Sequence, residues 1–120
     1  MSKNLEISKL LDFYSVLLTD KQREIAEYYY NDDLSLGEIA ENLDISRQGV
    51  RDSIKRSETI LFEAEEKLSL IEKSEILKNS LEAIKRNITA ISVENEMYNN
   101  SAISHSTEKI LNELEKLNEI

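Results

Sequence analysis

The residues best suited to chemistry lie close together: Ser46, Arg47, Gln48, Arg51, Lys55 and Arg56. Arginine can bond guanine with both arms of its fork, and glutamine can do the same with adenine. Lysine and arginine meet phosphates, and a helix N-terminus beginning at Ser46 offers backbone N–H groups to a phosphate oxygen. Val50 and Ile54 are four apart and share one side of a helix, so with both turned inward Arg47, Gln48, Arg51 and Lys55 project outward. The stretch Ser46–Arg56 carries four cations against Asp52, a net of +3 in a chain whose net charge is −9. One short basic helix therefore sits in an acidic protein.

Other chemistry is poorly supplied. The chain has no cysteine, which removes disulfides and thiolate nucleophiles. His105 is the single histidine, so a metal site of the usual N/S ligand types is not expected. Glu63, Glu65 and Glu66, or Glu94 and Glu96, could serve as carboxylate ligands or an acid–base pair. A solvated helix face explains them better, since there is no glycine-rich loop and no nucleophile–base pair. Tyr28, Tyr29 and Tyr30 could stack on bases, but their place on an amphipathic helix reads as core and core edge. Phe13 and Tyr14 read as core of the first helix. The expectation is a binding protein, not an enzyme, with no cofactor and no metal.

The elements that hold the basic helix follow from breakers and caps. Proline is absent and glycine occurs only at Gly37 and Gly49, so the 120 residues read as helix almost throughout, an all-α fold. Leu5, Leu10, Leu11, Phe13, Tyr14, Leu17 and Leu18 mark a first helix with Asn4 as its cap. Thr19-Asp20-Lys21-Gln22 is a capping box, in which the hydroxyl takes a backbone N–H and the glutamine reaches back. It opens a second helix with Ile25, Ala26, Tyr28 and Tyr29 inward. Ser35, with Glu38 three residues on, opens a third over Leu36–Asn42, Leu43–Ile45 is a tight turn, and Ser46 caps the fourth. That helix has no stop at Arg56: Ile54, Leu61 and Leu68, with Ala64 and Ile71, continue its spacing. From Leu77 the stripe Leu77, Leu81, Ile84, Ile88, Ile91 repeats as 4, 3, 4, 3, the seam of a coiled coil or bundle. The change of register near Ser69–Ser74 predicts a kink or break. Ser92–Thr107 is rich in Ser and Asn and reads as a loop, before a last helix with Ile103, Ile110, Leu114 and Leu117.

Residues 36–54 meet the demands of a helix-turn-helix, two short helices crossed at a steep angle. The small Ala40 stands where the helices touch, Ile39, Leu43 and Ile45 flank the turn, and Val50 and Ile54 face the first helix. Two packed helices with solvated charges would account for part of this pattern. The small residue, the turn, both apolar pairs and the local basic excess together go beyond it.

Two resemblances follow. Thr19–Ile25 with Leu36–Ile54 resembles sigma-factor region four, which reads the promoter's upstream element. Leu11–Tyr14, Leu18–Gln22, Ser35–Ala40, Ile45–Gln48 and Asp52–Arg56 more closely resemble the YlxM-like family, over about residues 5–72. These are small bacterial helix-turn-helix proteins whose genes neighbour those of the signal recognition particle and its receptor. The resemblance implies a regulator of that particle's pathway. Its partners would be nucleic acid, as DNA or the particle's RNA, or the particle's proteins. Asp44 departs from the glycine usual at the turn, but aspartate tolerates a left-handed backbone. Gly49 stands where alanine is expected, at a cost to the helix of up to about 1 kcal/mol.

Charge completes the organisation. Residues 1–57 carry 8 basic and 11 acidic side chains, and residues 58–120 carry 7 and 13. The expected division is a helix-turn-helix domain over 1–57 and a helical extension over 58–120, serving oligomerisation, most simply a homodimer, or partner binding. Apolar runs are too short to insert in a membrane, and the first residues lack an apolar signal core, so the expected location is the cytoplasm.

Overall fold

The computed structural model describes residues 5–118, and for Leu5 the backbone only. The predicted Asn4 cap lies outside them. Among the described residues there are six α-helices and no strand: α1 Leu5–Tyr14, α2 Asp20–Tyr30, α3 Leu36–Leu43, α4 Arg47–Leu68, α5 Leu70–Tyr98 and α6 Ser101–Asn118, with one 3-10 turn at Ser15–Leu17. None is long and apolar enough to cross a membrane. The chain forms two compact units, residues 1–72 and 73–120.

In the first unit, α1 turns Ile7, Leu10, Leu11 and Tyr14 inward, the spacing of one helical stripe. Phe13 does not join them and is 37% exposed, because it stands about 100° from Tyr14 around the helix. Leu17 is also exposed, since α1 stops at Tyr14 and the 3-10 turn points it to solvent. Both capping boxes form. Thr19 Oγ1 accepts from the Gln22 amide at 3.2 Å while the Thr19 amide donates to Gln22 Oε1 at 3.0 Å. Ser35 and Glu38 exchange the same pair at 3.1 and 3.2 Å. Tyr29 is buried beside Ile25 and Ala26, whereas Tyr28 and Tyr30 lie at the core edge.

Two apolar clusters share α4 as their common wall. Ile7, Leu10, Leu11, Tyr14, Leu18 and Ala26 pack on Leu61 and Ala64. Ile25, Tyr29, Ile39 and Ala40 pack on Val50 and Ile54. The predicted boundary after residue 57 falls in mid-helix: α4 runs unbroken past it, and Leu61, fully buried, belongs to the first cluster. The break comes at Ser69, whose backbone is left-handed at φ 53°. It is braced from a distance. The Glu65 carboxylate accepts from the Ile71 and Glu72 amides at 3.1 and 3.3 Å, so it caps the start of α5. Tyr14 donates its hydroxyl to Glu65 Oε1 at 2.5 Å and accepts from the Leu70 amide at 3.0 Å. The bond from Tyr14 holds the Glu65 carboxyl below the usual carboxylate range, while burial and the facing carboxylate push the Tyr14 hydroxyl up.

The second unit contains most of α5, together with α6. The loop predicted over Ser92–Thr107 reduces to Asn99 and Asn100, with Asn99 left-handed at φ 49°. The Ser, Thr and Asn side chains that signalled a loop are used inside helices. Thr107 Oγ1 bonds back to the Ile103 carbonyl at 3.0 Å, and Asn95 bonds across the turn to Asn100 and Ser104.

Candidate nucleic-acid interface

The helix-turn-helix is α3 and the start of α4. Its angle is set at Asp44, which adopts the left-handed conformation at φ 53°, ψ 49°. The Ile45 amide then reaches back to the Ala40 carbonyl at 3.0 Å, which satisfies an orphan carbonyl at the end of α3. Ser46 Oγ accepts from the Gly49 amide at 3.0 Å and starts α4. Val50 and Ile54 are fully buried against Ile39 and Ala40. Local capping therefore places α4, and the buried pair fixes its rotation.

With that rotation, Ser46, Arg47, Gln48, Arg51, Lys55 and Arg56 are all exposed over the first turns of α4. They are not equivalent. Gln48 Nε2 donates to Asp52 Oδ1 at 2.9 Å, one turn along, so its amide is pre-oriented on the helix surface. Arg47 leans back over α3, where a Cβ on Gly37 would stand only 2.8 Å from Nη2 and 3.1 Å from Nε. Glycine at 37 makes room for that guanidinium, beside the capped start of α3, where Tyr29, Asp33, Ser35 and Glu38 line the same shallow cleft. Among the described residues Arg51, Lys55 and Arg56 are in no ion pair, so their charge is not neutralised within the chain.

The site's support includes contacts that residue types alone did not reveal. Tyr30 donates its hydroxyl to Glu58 on α4, and burial with that carboxylate pushes the hydroxyl well up. This pair ties α2 to α4 just beyond Arg56. Arg23 Nε donates to the Ser15 carbonyl at 3.2 Å, which fastens the 3-10 turn to α2 and withdraws that arginine from the basic group. The only sequence signal for the Arg47 seat was Gly37 itself, an unusual residue in the first turn of a capped helix.

Chemically the arrangement can contact phosphates and base edges. Among the described residues no cluster of His, Cys, Asp or Glu could hold a metal ion.

Comparison with known proteins agrees with this architecture. Residues 1–101 match the UPF0122 family, described as "Putative helix-turn-helix protein, YlxM / p13 like". A UPF0122 protein of Thermoanaerobacter sp. strain X514 is 49% identical over 114 residues, 95% of each chain. One from Acetivibrio thermocellus is 46% identical, covering 97% of this chain and 93% of its own. Another, from Halalkalibacterium halodurans, is 52% identical over 75% of this chain and 86% of its own. The match of most of the chain, with the helix-turn-helix built as described, makes this protein a member of the UPF0122 family of YlxM/p13-like helix-turn-helix proteins.

Proposed function

We propose that this protein is a cytoplasmic regulator that binds nucleic acid through the first turns of α4 and acts in the signal recognition particle pathway. One observation carries the binding: Arg51, Lys55 and Arg56 stand exposed and unneutralised, beside Arg47 and Gln48, in a chain of net charge −9. Ser46 and the amides it leaves open offer a phosphate site at the helix start. Asp52 within the same row limits the charge, so the interface suits a small, shaped target. The pathway assignment rests on the YlxM-like resemblance, and the charge balance agrees with it. Non-specific affinity lets a protein search a genome along DNA, and an acidic chain with one basic helix is weakly equipped for that. It is better matched to one structured site reached through a protein contact, with the acidic helices after residue 57 docking on a basic partner. In this reading residues 73–120 join two copies as a homodimer.

The test measures binding to the particle's RNA and protein, and to duplex DNA, over a range of salt. About four contacts per subunit give a log–log salt slope of roughly −3 to −4 on duplex. Arg51→Ala should weaken binding with helicity unchanged. Reproducible occupancy of chromosomal DNA at a shared motif, with no affinity for either particle component, would establish a plain transcription regulator instead.

A further inference from the structure

The exposed cations at the start of α4 surround one acid, and that acid stands at the centre of the outward face. At about 100° per residue, Asp52 points directly away from the midpoint of the buried pair Val50 and Ile54. Gln48 and Arg56 stand about 40° to either side of it, and Lys55 about 60° away. Arg51 and Arg47 lie about 100° and 140° round the helix, on its flank.

An acid in this place works against phosphate binding, and the helix dipole does not explain it, since Asp52 lies beyond the first turn of α4. Lys55 and Arg56 follow it at three and four residues, the spacing of helical ion pairs. Yet among the described residues Asp52 is in no ion pair. Its partner is Gln48, whose Nε2 donates to Asp52 Oδ1 at 2.9 Å. A pair of this kind steadies a helix wherever it occurs. At the centre of the outward face it also decides which atoms are offered there.

A carboxylate only accepts, so the amide nitrogen of Gln48 is the atom turned toward Asp52. That leaves Gln48 Oε1, its second N–H and Asp52 Oδ2 without a partner among the described residues. The pair thus offers two acceptors and one donor. Adenine presents an amine at N6 beside an acceptor at N7, which the amide of Gln48 matches. Cytosine presents an amine at N4, which Asp52 Oδ2 can accept. Guanine carries oxygen O6 on the same edge, and thymine carries O4. Against those bases oxygen would meet oxygen, and the charge on Asp52 deepens the repulsion.

We infer that Gln48 and Asp52 act as one unit that selects a base with an exocyclic amine, adenine or cytosine, and rejects guanine and thymine or uracil. The inference rests on the nucleic-acid binding of the proposed function and names what that site reads. Arg47 and Arg51, on the flank, are left to hold phosphates. Asp52 lowers affinity for every sequence but lowers it least for the right one, and repelling the wrong partner is a source of specificity. The same amines are offered in the major groove of duplex DNA and on unpaired bases of RNA.

The test is selection by the full chain from a randomised duplex DNA pool and a randomised RNA pool. Retained sequences should share adenine or cytosine at one or two positions. Enrichment in the duplex pool places the site in a major groove, enrichment in the RNA pool places it in an unpaired segment, and either supports the unit. Replacing the selected base by its analogue without the amine (purine for adenine, 2-pyrimidinone for cytosine) should weaken binding of the native chain roughly 5- to 100-fold. Asp52→Asn should bind all sequences more tightly, since a negative charge is gone. It should also admit guanine or thymine, since its own amide can turn an N–H outward. Asp52 is exposed, so helicity should be unchanged. A pair that only steadied the helix would leave base preference as it was, so an unchanged preference in Asp52→Asn overturns the role of Asp52. Retained sequences with guanine, thymine or uracil at those positions, or with no shared base, overturn the unit while nucleic-acid binding stands. No retention from either pool overturns that binding as well.

Discussion

The backbone at Asp44 sets the angle between α3 and α4, and replacing that residue tests whether it does so in the left-handed conformation. A side chain with a Cβ in that region costs roughly 1–2 kcal/mol, less for aspartate, which is among the residues that tolerate it. Glycine carries no such cost, but its extra freedom in the unfolded chain offsets about 0.4–1 kcal/mol. Asp44→Gly should therefore leave the protein as stable as the native chain or about 0.5 kcal/mol more stable. Asp44→Ala keeps the Cβ and loses aspartate's tolerance, for a loss of about 1 kcal/mol. Both variants remove the same carboxylate, so the comparison between them is free of the change in charge. In a unit of 72 residues, each 1 kcal/mol moves the melting temperature by about 4–8 °C. The alanine variant should melt that far below the glycine variant, by circular dichroism at neutral pH. Equal melting temperatures, or alanine above glycine, would refute a left-handed residue 44 and the turn geometry built on it.

Three further outcomes are expected. Gly37→Ala removes a helix glycine and should stabilise α3 by about 0.5 kcal/mol, since the clash falls on the movable end of exposed Arg47. A urea midpoint below the native one would mean that the guanidinium is held rigidly there. Ser57 is 1% exposed and its hydroxyl finds no partner, so Ser57→Ala should stabilise the unit by about 1 kcal/mol. A loss of stability in chemical denaturation would show that the hydroxyl is satisfied after all. Glu65 has its pKa lowered in the fold, so its contribution is full above the ordinary carboxylate pKa and is lost as pH falls through the folded value. The melting temperatures of the native chain and Glu65→Gln should accordingly converge on acidification, and a gap that stays constant would sink the Tyr14–Glu65 brace.

What could be read from residue types was local. The caps at Thr19, Ser35 and Ser46 act within three residues, and the rotation of α4 needs only Val50 and Ile54 on one stripe, so the helix-turn-helix and its exposed cations were legible in order. Ser and Asn enrichment misled at Ser92–Thr107, because the same polar groups that favour loops can bond back to a helix or across a two-residue turn.

The sequence by itself determined that the chain is helical, where the helix-turn-helix lies, and which side of α4 meets solvent, because capping and helical periodicity involve neighbours along the chain. Only the tertiary structure decided that the first unit runs on to Glu72, that Phe13 stays outside while Tyr14 goes in, and that Arg47 rests on Gly37. Those outcomes depend on partners far apart in sequence, Tyr14 and Glu65 being separated by 51 positions. Periodicity can say that a face must be covered; it takes the packed chain to say which residue covers it.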